Sequence, residues 1–287
     1  MNPTTYLAPA KLNLFLHVVG RRADGYHLLQ SAFCLLNFGD TLEIQPRADN
    51  LIQRLSALPG VEAENDLVIR AARLLQQQAG ERRGCDIHVS KRIPMGGGLG
   101  GGSSDAATTL LALNQLWGLN WPNERLQALG LQLGADVPFF VRGQSAIAEG
   151  IGERLTPIDI PSWWYLVLTP PINVPTIAVF SAKELTRDTN PLKITDFSAG
   201  RLCDTLRGTR NDLQAVVVKA FPVVAAHLEA LITVGQKALF GARMTGSGSS
   251  VFAAFETEAD ARLAFKQLAP EYPGFIAQGI ATHPLQQ

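Results

Sequence analysis

Apolar and polar residues alternate between Lys11 and Val18. Leu12, Leu14, Leu16 and Val18 fall on one side of a two-residue period, and Lys11, Asn13, Phe15 and His17 on the other. This predicts a strand whose apolar row faces the core and whose second row presents a lysine and an asparagine elsewhere. Asp24-Gly25 is a turn signal, and a strand-like run from His27 to Leu36 follows it. The chain is therefore expected to open with a hairpin whose tip is Arg21 to Gly25. Asn65 reads as the N-cap of a helix with the stripe Leu67, Ala71, Leu74 and Gln78. Asp86 to Ile93 reads as a strand. Beyond it Ala106, Leu110, Leu113 and Trp117 recur at helical spacing. Glu124 to Leu133 reads as a further helix closed by Gly134. After residue 160, strand-like runs (Trp163 to Leu168, Val251 to Phe255) alternate with helical ones (Asp212 to Lys219, Ala259 to Leu268). The class is α+β.

Composition sharpens this in two ways. With 287 residues, 46% hydrophobic and 17% charged, the chain has the apolar surface for a real core, which excludes a disordered chain or a collagen-like fibre. The length suggests two domains. Prolines cluster and charges thin out over residues 155–175, so the expected division is 1–160 and 161–287. Lys plus Arg equals Asp plus Glu at 25 each, leaving no net field to hold a nucleic-acid backbone. The three cysteines, Cys34, Cys85 and Cys203, lie far apart with no C-x-x-C, the pattern of a reducing compartment. The N-terminal residues lack the basic region of a signal peptide. The longest uncharged stretch, Ile160 to Ala182, is broken by Pro161, Pro170, Pro171 and Pro175. A cytoplasmic protein with no membrane and no nucleic-acid partner is expected.

The strongest chemical signal is Pro94-Met95-Gly96-Gly97-Gly98-Leu99-Gly100-Gly101-Gly102-Ser103-Ser104, between a strand and a helix. Six of the seven residues from Gly96 to Gly102 are glycine, which costs chain entropy that something must require. Glycines let a backbone curl with its N–H groups inward, and the following helix adds its positive end, so this is a phosphate cradle. It is not a Walker A loop, because no Gly-Lys-Ser/Thr closes it. It matches G-x-G-x-x-G formally, but Asn120 to Glu124 offers no acidic strand end for a Rossmann unit.

Three stretches together resemble the GHMP small-molecule kinases: Pro9-Ala10-Lys11-Leu12-Asn13-Leu14, the glycine-rich turn, and Met244-Thr245-Gly246-Ser247-Gly248-Ser249-Ser250. The resemblance spans residues 8 to about 253. It implies an N-terminal domain like domain 2 of ribosomal protein S5 and a ferredoxin-like C-terminal domain. It also implies ATP as co-substrate, phosphates on the glycine-rich turn, and an alcohol acceptor. Two further stretches, Gly20 to His27 and Leu133 to Phe140, resemble the branch of the family whose acceptor carries a cytidine diphosphate group.

Residue roles follow from that resemblance. It implies that Asp136 is the base taking the proton from the attacking hydroxyl; the competing reading is an N-cap before Pro138. Lys11 is placed beside Asp136, where an ammonium could orient the carboxylate, favour its ionised form or offset phosphoryl charge. Asn13 shares its strand face. Tyr26 and His27, with Thr176 and Phe180 across the cleft, are placed on the cytosine, Tyr26 by stacking. Asn65 either caps its helix or reads the adenine. Gly246-Ser247-Gly248 is either a tight bend or a support for the other motifs. Phosphoryl transfer calls for Mg²⁺ on ATP; Ser103, Ser104 and Asp105 are the nearest oxygen donors, and no carboxylate ligand is singled out. A sister kinase with another alcohol, or an inactive binding protein on the same scaffold, are the alternatives.

Overall fold

A computed structural model of the chain describes residues 3–58, 60–198 and 200–286. The opening hairpin is longer than the alternation alone indicates: β1 (Thr4–Arg21) pairs antiparallel with β2 (His27–Arg47). The remaining strands are β3 (Ile52–Arg54), β4 (Gly84–Ser90), β5 (Ala146–Gly150), β6 (Arg154–Pro157), β7 (Trp164–Leu168), β8 (Arg243–Met244), β9 (Val251–Phe255) and β10 (Gly274–Ile280). The helices are α1 (Leu67–Ala79), α2 (Gly101–Leu116), α3 (Asn123–Leu131), α4 (Val137–Arg142), α5 (Thr176–Ser181), α6 (Leu202–Arg207), α7 (Gln214–Ala220), α8 (Pro222–Val234) and α9 (Glu258–Leu268).

The strands form one mixed sheet in the order β3-β4-β2-β10-β7-β9-β8, with β1 and β5 also on β2 and β6 on β5. The α+β class is as the patterning predicts. β3 and β4 run parallel; the other strand pairs among the described residues are antiparallel. The join between the two halves of the sheet is β10: Gly274 to Gln278 pair with β7, and Gly279 and Ile280 pair with Leu36 and Leu35 of β2.

Both rows of β1 are buried, because α2 lies against this hairpin and the C-terminal half closes its other face. Ala8 joins a cluster with Phe33, Phe139 and the apolar stripes of α1 and α2. Leu12 and Leu14 pack with Tyr165 and Phe252, and Leu16 and Val18 with Leu213 and Val217. The change of neighbours reflects a bulge. Asn13 pairs with Phe33 and Leu16 with Ser31, three residues of β1 against two of β2. That slip turns Leu16 to the face of Lys11 and Asn13.

Several boundaries differ from expectation, β4 stopping at Ser90 and not Ile93 among them, and three concern helix ends. The side chain that caps α1 is Asp66, not Asn65: its Oδ1 accepts from the Val68 N–H at 2.9 Å, and its Oδ2 pairs with Arg54 at 2.6 Å. Both residue types cap well, so the pattern is ambiguous by one position. α2 starts at Gly101, inside the glycine run, because Gly100 already supplies the left-handed turn that ends the loop. α3 stops at Leu131 with Gln132 as its C-cap, short of Gly134.

Candidate active site

β4 delivers the chain into the glycine-rich turn, and α2 takes it out. Gly96, Gly98 and Gly100 adopt φ of +70°, +76° and +75°, with Gly97 and Leu99 between them outside that region. Such alternation points successive N–H groups to one side, as in an anion nest. Gly100 is the N-cap of α2 and brings no side-chain acceptor. The first N–H groups of the helix are therefore left for a ligand, at the positive end of its dipole. The third motif buttresses the turn. A methyl group on Gly98 would stand 2.3 Å from the Thr245 carbonyl oxygen, and one on Gly246 would stand 2.9 Å from that of Gly98. The Ser250 N–H donates to the Gly97 carbonyl at 3.1 Å.

The turn walls a recess of about 560 Å³. Pro94 to Ser103 line it, with Met95 exposed at the rim. Asn65, released from capping, is exposed on it. Ser104 is not there. It is fully buried, its N–H donates to the Gly100 carbonyl, and its hydroxyl donates to the Pro9 carbonyl at 2.6 Å. It ties α2 to β1 and has no group to offer a phosphate.

The second recess, about 250 Å³, adjoins the first through Gly98, Gly100, Thr176 and Ser247. Here the carboxylate of Asp136 meets the ammonium of Lys11, Oδ2 to Nζ 3.3 Å. Asp136 occupies the N-cap position of α4, with Pro138 in the first turn, yet makes no side-chain cap bond. The side chain serves Lys11, not its helix. Asp136 is 32% exposed and Lys11 only 5%, so the carboxylate faces the cleft and the lysine stands behind it. Lys11 Nζ also donates to Asn13 Oδ1 at 2.6 Å and lies 4.7 Å over the Phe33 ring. Asn13 lines this recess, but both ends of its amide are engaged. Its Nδ2 donates to Ser31 Oγ at 2.9 Å, and its backbone N–H donates to Thr245 Oγ1 at 2.9 Å. Asn13 thus braces the lysine and links it to the third motif.

A third recess of about 540 Å³ continues from the second past Leu29, Ile151, Thr176 and Phe180. The hairpin tip forms one wall and α5 the other. The ring centroids of His27 and Phe180 are 5.0 Å apart, and Tyr26, 61% exposed, stands at the mouth. Thr176 Oγ1 lies 2.8 Å from Ser247 Oγ, joining α5 to the third motif. All three recesses are lined by Thr176, so they form one cleft.

Sequence reasoning missed two features. Arg187 donates from Nε to His27 Nε2 at 3.0 Å; a lone arginine in a loop carries no motif. Partial burial, then Arg187 and Arg21, hold the His27 imidazole below its ordinary pKa. The other is a buried trio beside the glycine turn. Lys91 pairs with Asp40 and, at 2.8 Å, with Asp105, while Asp40 Oδ1 accepts the Arg92 and Ile93 N–H groups at 2.5 and 2.8 Å. Asp40 thereby fixes the segment entering the turn. Burial and the neighbouring Asp40 raise the Asp105 pKa, with Lys91 opposing. Asp105 Oδ1 is buried without a partner. Among the described residues no group of three or more His, Cys, Asp or Glu side chains is arranged to hold a metal ion.

Comparisons with known proteins place the chain in a family. The model for the GHMP kinases N terminal domain matches residues 66–144, and that for GHMP kinases C terminal matches residues 197–274. A protein of Thiobacillus denitrificans named 4-diphosphocytidyl-2-C-methyl-D-erythritol kinase is 57% identical over 97% of this chain and 96% of its own length. One of the same name from Aromatoleum aromaticum is 55% identical over 97% and 94%. A crystal structure of 4-(cytidine 5'-diphospho)-2C-methyl-D-erythritol kinase superposes with a TM-score of 0.83 at 36% identity, covering 96% of this chain and 99% of that one. A homoserine kinase from Cytophaga hutchinsonii shares the fold, with a TM-score of 0.69 at 17% identity, 99% of this chain and 96% of that one being covered. Family models that match both halves of the chain, and relatives 55–57% identical over 97% of it, show that the chain belongs to the GHMP kinases.

Proposed function

We infer that the chain transfers the terminal phosphoryl group of ATP to the 2-hydroxyl of 4-diphosphocytidyl-2-C-methyl-D-erythritol, a step of the non-mevalonate route to isoprenoid precursors. The observation that carries this reading is the cleft itself: phosphate nest, Lys11–Asp136 pair and His27–Phe180 recess follow one another in a single channel. The order matches a molecule pair with phosphates at one end, a hydroxyl in the middle and a pyrimidine at the other end. The names of the relatives point to the same acceptor.

In this reading the glycine turn and the first N–H groups of α2 hold the ATP phosphates, Asn65 reaches the adenine, and Pro94 and Met95 flank the rim. The acceptor hydroxyl enters beside Asp136. Its oxygen forms a bond to the γ-phosphorus as the bond to the bridging oxygen breaks, ADP leaves, and the hydroxyl proton passes to Asp136. Lys11, held 3.3 Å from that carboxylate by Asn13, fixes its position and places positive charge near the transferring group. His27, Tyr26, Thr176 and Phe180 take the cytidine end. Mg²⁺ on ATP would offset phosphate charge; it needs only one or two protein oxygens, and the unpartnered Asp105 Oδ1 and the Ser103 hydroxyl on the recess fit that need.

The division at residue 160 stays part of this proposal, with residues 1–160 binding ATP and 161–287 completing the acceptor side. Cytoplasmic placement is proposed on the three unpaired cysteines. No single helix among the described residues is long and apolar enough to cross a membrane.

The test is ADP release with ATP, Mg²⁺ and 4-diphosphocytidyl-2-C-methyl-D-erythritol, run beside homoserine, galactose and mevalonate. Turnover of the cytidine compound alone is expected. Turnover of another alcohol in its place would overturn the acceptor assignment.

A further inference from the structure

Among the described residues His27 is the one histidine that lines the cleft, and a neutral imidazole offers a donor on one nitrogen and an acceptor on the other. Which nitrogen keeps the proton decides what it can recognise. Arg187 answers this by geometry. A guanidinium has only donors, and Arg187 Nε donates to His27 Nε2 at 3.0 Å. Nε2 must therefore be an acceptor, so the proton resides on Nδ1. Among the described residues no protein group accepts from Nδ1, which leaves that N–H for a ligand in the recess.

The arginine is itself held on three sides. Its Nη1 donates to the Leu185 carbonyl at 3.0 Å, and its Nη2 donates to the carbonyls of Phe180 and Ala182 at 3.1 and 2.7 Å. One side chain thus grips the backbone of α5 at Phe180 and the imidazole across the cleft. The charged groups that face the imidazole are Arg187 and Arg21, both cationic, and Asp24 lies on the same recess wall. The two cations and partial burial all favour the neutral ring.

We propose that Arg187 is a positioning residue for acceptor recognition, fixing His27 as a neutral Nδ1–H donor and setting its spacing from Phe180. The inference rests on the reading of this recess as a cytosine site. An Nδ1–H donor suits the ring acceptor that cytosine presents at N3, a position that carries a proton in uracil. The lock would therefore select for the cytidine group as well as orient it.

The test has one readout that needs no substrate and one that does. Imidazole ¹⁵N shifts of the ligand-free protein at pH 7, with His27 assigned by loss of its signals in His27→Gln, are expected to show the Nδ1–H tautomer. In Arg187→Ala they are expected to move toward a tautomer mixture. The KM for the cytidine compound is expected to rise about tenfold or more in Arg187→Ala, with kcat and the KM for ATP close to wild type. Arg187→Gln, which keeps an N–H donor without the charge, is expected to restore much of that loss, and it serves if Arg187→Ala does not fold. An Nε2–H tautomer or an imidazolium in the wild type would overturn the proposal, as would an unchanged KM in both variants. If the cytidine compound is not turned over at all, the functional reading fails on that result, and the ¹⁵N tautomer still decides the role of Arg187.

Discussion

Asp136 stands where a helix N-cap stands, but its carboxylate leaves α4 unserved and turns to Lys11. The two readings open at the level of sequence, cap or base, therefore make different predictions at this one residue. A cap replaced by Asn would keep its function, because Asn caps as well as Asp. A base replaced by Asn loses its proton acceptor. Asp136→Asn is expected to lower kcat about 10²–10⁴-fold in the ADP-release assay while moving Tm little. Near-normal kcat with a lowered Tm would return the residue to a structural role. Other residues were less legible. Asn65 and Asp66 are both good caps, and only the bond from Val68 tells them apart. Ser104 has the right chemistry for a phosphate and the wrong direction, since its hydroxyl is spent on Pro9. Lys91, Asp40 and Asp105 come from three distant places in the chain, so no local pattern could announce their meeting.

At the scale of elements, periodicity found the opening hairpin, the strand before the glycine turn and the helix after it. It did not find the bulge between Asn13 and Leu16, because a slip of one residue leaves no mark on an apolar alternation. That bulge gives Lys11, Asn13 and Leu16 a common face on the cleft. The glycine turn reads as a cradle from its composition and its place between a strand and a helix, yet what its glycines make room for in the structure is another loop. Gly98 and Gly118 share nearly the same backbone, φ +76° and +64°, but nothing lies within 4 Å of a methyl group at Gly118. Gly118→Ala is therefore expected to cost only left-handed strain, about 1–2 kcal/mol of stability, with ATP affinity intact. Gly98→Ala would drive a methyl group against the Thr245 carbonyl and separate the turn from the third motif. Calorimetric titration with ATP should show its affinity falling at least about tenfold. Equal ATP affinity in the two variants would mean that the contact between these loops does not shape the site.

Across the whole molecule, the end of the chain returns to the beginning. β10 stitches the two parts of the sheet, and His283 then locks the last residues against α2 and α4. It is fully buried. Its N–H donates to the Gly143 carbonyl at 2.7 Å, its Nδ1 accepts from the Leu285 N–H at 3.1 Å, and its Nε2 lies 3.2 Å from Thr108 Oγ1. With Nδ1 accepting, Nε2 carries the proton and donates to the threonine. A second proton would have to sit on Nδ1, against the Leu285 N–H, and burial pulls the imidazole down to about 4 from an ordinary 6.5. The sign of the consequence follows. The unfolded chain takes up this proton at about 6.5 and the folded chain only near 4, so acid favours unfolding. The contribution of His283 is full above pH 6.5 and drains as pH falls from 6.5 toward 4, amounting to about 3 kcal/mol over that window. Tm measured across this range should fall more steeply in the wild type than in His283→Gln, whose amide can still donate to Thr108 but does not titrate. Parallel slopes would show that the tail lock is indifferent to protonation. A steeper wild-type slope would show that the packing of the chain's last residues against α2 and the end of α4 is held by a histidine that must stay neutral.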